Sequence, residues 1–285
     1  MRCWSKPGIA IYFIYVIAVW MLLQMFIALS HQISDVEFKS GILLNITNML
    51  VDVWIGHTYY ETLFVLLIGL TCIRMFTYIY RQIHVSQQWG QYVKAQIHPQ
   101  LTKKWTGKYK AWHTPIYVIR EHQPVALAAG LLNPRIVIST GLLEMLSLQE
   151  IHAVLLHEYY HCSQRHPLKK WLAGMIIRSM PYVSILKGLG QNYDIWIELL
   201  ADRYVITQTN STYTIGTALL KLVQARKLAT RYPGVSFSDS AINYRLSQLI
   251  NPDQPIDIPM VSWLSVCFSS MVLIVISMII IFRCV

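Results

Sequence analysis

An α+β domain carried on about three transmembrane helices is the fold class that this sequence predicts. Three observations predict it. Hydrophobic residues make up 54% of the 285 residues and charged residues only 13%. That is about half the charged share of an ordinary globular chain, too little to clothe a soluble particle of this size. Long uncharged runs stand near both ends of the chain, and between them three short strand-like stretches give way to capped helices. The same composition excludes a disordered chain, a collagen and a coiled coil.

The elements follow in order. Gly8 to Ser30 is free of charge and long enough to cross a bilayer, which takes about 20 apolar residues. Its apolar run is too long for a cleaved leader and no small-x-small site follows, so it reads as an anchor that stays. A second span is expected from about 58 to 80, with Glu61 and Arg74 near its ends, and a third from Ile258 to Phe282. Between the first two, residues 31–61 carry Asp35, Glu37, Asp52 and Glu61 against Lys39. Residues 81–114 carry Arg81, Lys94, Lys103, Lys104, Lys108 and Lys110 with no acid. The positive-inside rule then places the N-terminus and residues 81–257 in the cytoplasm, the 31–60 loop outside, and the C-terminus outside. The expectation is a multi-pass protein of the cell membrane. Asn45-Ile46-Thr47 forms a glycosylation sequon, which carries little weight.

The net charge of +10 is therefore mostly topology. The lysine run at 94–110 reads as a collar on anionic lipid, with Trp89, Tyr92, Trp105, Tyr109 and Trp112 as interfacial anchors. No nucleic-acid motif accompanies it, and no direct nucleic-acid contact is expected. The five cysteines show no paired spacing, as expected of a soluble part in a reducing compartment.

Within residues 112–257 the pattern changes. Thr114–Arg120, Pro124–Ala128 and Pro134–Ile138 read as strands, with Gly130 and Asn133-Pro134 marking a turn. Ser139-Thr140 caps a short helix. Ser147, with Glu150 in the capping-box position, starts another that runs to about Gln164. This makes 1–111 a membrane region with a basic juxtamembrane segment at 81–111, 112–257 a cytoplasmic domain, and 258–285 a C-terminal transmembrane helix. The apolar stretch at about 168–190, broken by Arg178 and Pro181, reads as a membrane-associated helical hairpin or interfacial helix. Helices are expected near Tyr213–Ala229 and Ser240–Leu249, with a turn at Tyr232-Pro-Gly.

The capped helix contains His157-Glu158-Tyr159-Tyr160-His161. Histidines four apart share a helix face one turn apart, so both can reach one Zn²⁺. Glu158 beside the first can hold a water and take its proton. A strand, a turn and a capped helix precede the motif, the setting of a zincin-like metallopeptidase domain. A third protein ligand is needed, and Glu198 in Ile197-Glu198-Leu-Leu-Ala-Asp202 is the best candidate. Asp202, one turn on, can accept the other ring N–H of a ligand histidine. The alternative is a helix surface bearing two acids, which the apolar setting (Ile195, Trp196, Ile197, Leu199, Leu200) argues against. Arg203, Tyr204 and Arg245 are candidate transition-state stabilisers. His152 is expected to face away from the metal pair, both it and His166 to be solvated, and His113 and His122 have no ligand spacing.

On these residues the stretch from Pro115 to Leu249 resembles the membrane zinc peptidases of the BlaR/MecR antirepressor type. The resemblance rests on Gly130-Leu-Leu-Asn-Pro-Arg-Ile-Val-Ile138, Leu155-Leu-His-Glu-Tyr-Tyr-His161 and Glu198-Leu-Leu-Ala-Asp202. It implies a cytoplasmic gluzincin domain binding one Zn²⁺ through His157, His161 and Glu198, with Glu158 as catalytic base. It also implies switching by a signal from outside and proteolysis of a winged-helix transcriptional repressor or of the chain itself. One fewer N-terminal span is expected than in those receptors. Only Arg283-Cys284-Val285 follow the last span, so the penicillin-binding sensor and β-lactam sensing are not carried over. The HtpX/CAAX-type membrane proteases share HExxH and ExxxD but place two spans between them, and the 37 residues from His161 to Glu198 leave no room for that pair. A protease of that type in protein quality control or maturation is the second reading. A non-catalytic membrane signal transducer with structural zinc is the third. Expected partners are a protein or peptide substrate and the lipid bilayer, with a homodimer as a further possibility.

Overall fold

The computed structural model describes residues 6–34, 59–229, 238–251, 256, 258 and 261–283. Most of the 31–60 loop with its sequon, the Tyr232-Pro-Gly turn and Cys284-Val285 lie outside the described residues. The chain divides into two compact units, one of residues 1–82, 173–191 and 259–285, the other of residues 83–172 and 192–258.

The first unit is helical. It holds α1 (Lys6–Ser34), the first part of α2 (Tyr59–Gln96) and α10 (Trp263–Arg283). It also holds the tip of a hairpin made by α6 (His166–Ser179) and α7 (Ser184–Thr209). Two of these helices are long and apolar enough to cross a membrane, over Pro7–Ser30 and Leu63–Gln96. Only 33% and 17% of their apolar windows are buried, and large side chains such as Phe26 and Phe76 lie open, unlike the mostly buried core helix of a soluble protein. The helix that holds the second expected span is longer than the sequence suggested. Its apolar character fades near Tyr80, but no proline interrupts it before Pro99, so the helix continues to Gln96. In the third expected span, the apolar stretch Trp263–Met278 is shorter than the other two. Polar side chains tie these helices together. Gln24 donates to Ser277, Thr71 pairs with the Tyr182 hydroxyl at 3.0 Å, and the Ile185 amide donates to Ser269 at 2.9 Å. The stretch expected near 168–190 is a helical hairpin. Pro181 lacks the N–H to extend α6, and the chain turns at Met180–Val183, where the Val183 amide bonds the Met180 carbonyl.

The second unit is built on a three-stranded sheet of order β1-β3-β2, from β1 (Ile116–Ile119), β2 (Ala126–Ala129) and β3 (Arg135–Ser139). β3 is parallel to β1 and antiparallel to β2, so β2 is an edge. Ile136, Val137 and Ile138 are all buried because both faces of the central strand are covered. One face packs on Ile151, Val154 and Leu155 of α5 (Leu148–Ser163), with Leu142 from the short α4 (Thr140–Met145). The other meets Val93 near the end of α2.

The aromatic residues expected as membrane-interface anchors belong to this unit. Trp105 and Tyr109 are four apart across the end of α3 (Pro99–Lys108), which places both on one face, and both are buried in the core. Trp112 packs against that cluster, and Trp89 against the cluster around Val93. Lys103, Lys104, Lys108 and Lys110 keep the exposed side. Their collar is thus the back of a core element.

The path into the edge strand is closely fixed. The Ser139 hydroxyl, fully buried, accepts from the amides of Leu142 and Val125 and donates to the Gln123 carbonyl. A Cβ on Gly141 would stand 1.9 Å from the His122 carbonyl oxygen, so only glycine lets the chain pass so near. Gly130 turns β2 toward β3 with φ +93, a conformation that favours glycine.

Helix α5 begins in the expected capping box. The Ser147 hydroxyl accepts from the Glu150 amide and the Glu150 carboxylate accepts from the Ser147 amide. Lys221 of α8 (Thr212–Ala229) donates to the same carboxylate at 2.8 Å. Burial would raise the Glu150 carboxyl, yet hydrogen bonds from Lys221, Ser147 and Thr217 overcome it and hold it at about 2, against an ordinary 4.5. Its folded pKa is depressed, so its stabilisation is complete above pH 4.5 and is lost as pH falls through about 2. The half-exposed Lys221 screens part of the gain. Glu150→Gln should therefore lower stability at pH 7 by about 2 kcal/mol, with the difference from wild type vanishing near pH 2. Unfolding in detergent across that range checks it, and a deficit independent of pH would contradict the assignment.

Candidate metal centre

The centre is built from two helices that each place two polar side chains one turn apart. On α5, Ile151, Val154 and Leu155 seek the core, and His157 and His161, four apart, share a neighbouring face that lines the cleft beside edge strand β2. On α7, buried Ile195, Trp196, Ile197 and Leu199 leave Glu198 and Asp202 on one face, toward the histidines. The Nε2 atoms of His157 and His161 are 3.1 Å apart. Glu198 Oε2 lies 3.3 Å from the first, and its Oε1 3.6 Å from the second. Ligands at 2.0–2.1 Å in a tetrahedron stand about 3.3 Å from one another. The separations are of the size that zinc ligands require, and the three side chains are a set that could hold one metal ion.

Each histidine is also held from behind. Asp202 Oδ1 lies 2.9 Å from His157 Nδ1. Asp202 is fully buried and is gripped by Arg245 of α9 (Ser238–Ile250), whose Nε donates to Oδ2 at 2.7 Å and Nη2 to Oδ1 at 2.8 Å. Nη1 of the same guanidinium reaches Glu198 Oε2 at 3.4 Å. Burial alone would raise both carboxyls. For Glu198, hydrogen bonds from His157 and His161 and then the charge of Arg245 bring it well below the usual range. For Asp202, Arg245 and then His157 do the same. Both are anions in the folded protein.

His161 Nδ1 lies 2.8 Å from Nδ1 of His166. The sequence suggested a solvated His166, but it is buried, with burial the chief cause that pushes it down to about 3. The reversal that brings it there depends on Arg165, whose φ of 53 closes the end of α5. A left-handed turn at a residue other than glycine or asparagine has no clear sequence signal. The one hint was Pro167, which suits the first turn of a new helix.

Of the three candidate stabilisers, Arg245 comes to the site and Arg203 and Tyr204 do not. Arg203 is exposed, and Tyr204 stacks on Tyr160 with ring centres 5.2 Å apart. His152, expected to be solvated, instead points to the core side, its Nδ1 2.9 Å from the Tyr109 hydroxyl. A cleft of about 670 Å³ opens over the donors. Glu158 lines it beside His157. Residues 123–128, including the start of edge strand β2, form one wall, and apolar residues of α8 such as Ile215 and Leu219 form another.

Two imidazoles from one helix, a carboxylate from a second and a glutamate at the open cleft are compatible with the site of a metallopeptidase. The sequence model of peptidase family M48 matches residues 88–232, half of the chain, and the chain belongs to peptidase family M48. That family is zinc-dependent, and its membership together with the two apolar helices supports a membrane-type zinc metalloprotease. No curated protein matches the chain.

Purified protein is expected to carry one zinc per chain. His157→Ala, His161→Ala and Glu198→Ala should each abolish stoichiometric zinc, and Asp202→Asn should weaken affinity about 10–100-fold. Arg203→Ala should change nothing. Zinc analysis with a competing chelator decides it, and full retention in His157→Ala would remove the assignment.

Proposed function

We propose that the protein is an integral-membrane zinc endopeptidase that hydrolyses peptide bonds on the cytoplasmic side, in regulatory proteolysis of a repressor or of itself. The observation that carries the chemistry is Glu158 at the open cleft, beside a complete His157, His161 and Glu198 donor set. A purely structural metal site has no use for such a glutamate, which sets the non-catalytic transducer aside.

Bound there, zinc would supply a Lewis acid that polarises the scissile carbonyl and acidifies water. Glu158 takes the proton of the attacking water and returns it to the leaving amine. The Asp202 carboxylate, 2.9 Å from His157 Nδ1, is placed to favour the proton on that nitrogen, the tautomer that leaves Nε2 free to ligate. Arg245 serves by holding Asp202 and Glu198 in place, since its donors already point at those carboxylates. β2 pairs with β3 along one side only, so its free edge can receive an extended substrate strand.

The regulatory reading rests on the resemblance to BlaR/MecR antirepressors and on the segment between the two ligand helices, a short hairpin rather than two full spans. The charge asymmetry supports a cytoplasmic zinc domain, the N-terminus inside and the C-terminus outside. The exposed lysines of α3 suit an anionic lipid surface.

Glu158→Gln should keep zinc and lower kcat for peptide hydrolysis about 10²–10⁴-fold. Comparing new N-termini in cells expressing wild type and Glu158→Gln tests the role. One DNA-binding protein, or the chain itself, cut at a defined site supports regulation. A broad set of misfolded membrane proteins would favour the HtpX/CAAX-type quality-control reading.

A further inference from the structure

We infer that His166 is a positioning residue for the metal centre: as a neutral hydrogen-bond acceptor on Nδ1, it fixes the tautomer and ring orientation of His161. The inference rests on the zinc reading of His157, His161 and Glu198.

The two ligand histidines are used alike. His161 turns Nε2 toward His157 Nε2 and Glu198, so Nε2 is its ligand atom and Nδ1 the remaining nitrogen. A neutral imidazole that ligates through Nε2 carries its proton on Nδ1, and that N–H needs an acceptor. At His157 the group within reach of Nδ1 is the Asp202 carboxylate, with Oδ1 2.9 Å away. At His161 the atom within reach is His166 Nδ1, 2.8 Å away. Two ring nitrogens at that distance share one proton, so His166 must present a bare Nδ1 and keep its own proton on Nε2. Its Nδ1 meets the far side of the His161 ring from the donor cluster, so it is not itself a fourth ligand.

The surroundings hold the ring in this pose. Arg165, in the left-handed conformation, lets the chain reverse within Gln164 and Arg165 and start α6 at His166. Tyr160 meets the ring edge-on with centres 5.5 Å apart, and the buried Tyr193 does so at 6.4 Å and 89°. Such T-shaped contacts restrain rotation.

The test uses the full chain in detergent and measures zinc affinity against a competing chelator. Asparagine places a carbonyl oxygen near the position of Nδ1, whereas glutamine places it near Nε2. His166→Asn should therefore bind zinc within about threefold of wild type. His166→Leu and His166→Gln should bind about 10–100-fold more weakly. The glutamine variant keeps a polar side chain of similar size and serves where leucine disturbs folding. Wild-type affinity in His166→Gln, or an asparagine variant as weak as the glutamine one, overturns the inference and leaves the zinc reading intact. A wild type that takes up no zinc removes the zinc reading and this inference with it.

Discussion

Keeping two carboxylates ionised away from water is the constraint around which the second unit is arranged. Packing α7 against α5 buries Asp202 fully and Glu198 mostly. A buried carboxylate without partners costs several kcal/mol. Arg245 answers that cost with both faces of its fork on Asp202 and its remaining nitrogen on Glu198. Arginine suits the task because its planar donors match a carboxylate bidentately and it stays charged when buried. Helix α9, which delivers Arg245, is therefore held to the site by charge as well as by Leu246 and Leu249 in the apolar cluster with Ile215 and Leu219.

The substrate side follows from a different requirement. An edge strand is useful only if it is fixed in place and its free side is open. Four residues, Ala126–Ala129, are too short to fix themselves. The buried Ser139 hydroxyl and the bare Cα of Gly141 bind the approach to this strand onto the end of the central one. The same Ser139 caps α4, which leads to the capping box of α5. The cleft wall and the ligand helix thus share one anchor in sequence.

What could be read in the sequence was what has a period or a cap. Ser147 and Glu150 marked the start of α5, the spacing of His157 and His161 gave their common face, and Glu198 and Asp202 gave theirs. Helical phase, applied one step further, would also have removed Arg203 and Tyr204. They follow Asp202 by about 100° and 200° around the axis and so cannot share its direction. Arg245 could be named but not placed, because its contact spans 43 residues to Asp202. His166 failed for a backbone reason, since its position hangs on the sign of φ at Arg165. Trp105 and Tyr109 failed for lack of context. Aromatics beside lysines look the same at a bilayer interface and on the inner face of a small amphipathic helix, and only the sheet behind them decides. Residues 83–111 belong with the compact unit that carries the site for the same reason.

The choice of a carboxylate behind one histidine and an imidazole behind the other has an electrostatic logic. Glu158, Glu198 and Asp202 bring three negative charges to the centre, and Arg245 returns one positive charge. The fixed balance is −2, the charge that a divalent cation neutralises. The ion pair of Lys170 with Asp194 cancels itself. A second carboxylate in the place of His166 would take the balance to −3 and leave one buried negative charge without a partner after the metal had bound. A neutral imidazole gives His161 the acceptor it requires and adds no charge. The two histidines are thus served by the same rule with different chemistry, and the difference keeps the fixed charge around the donors at −2.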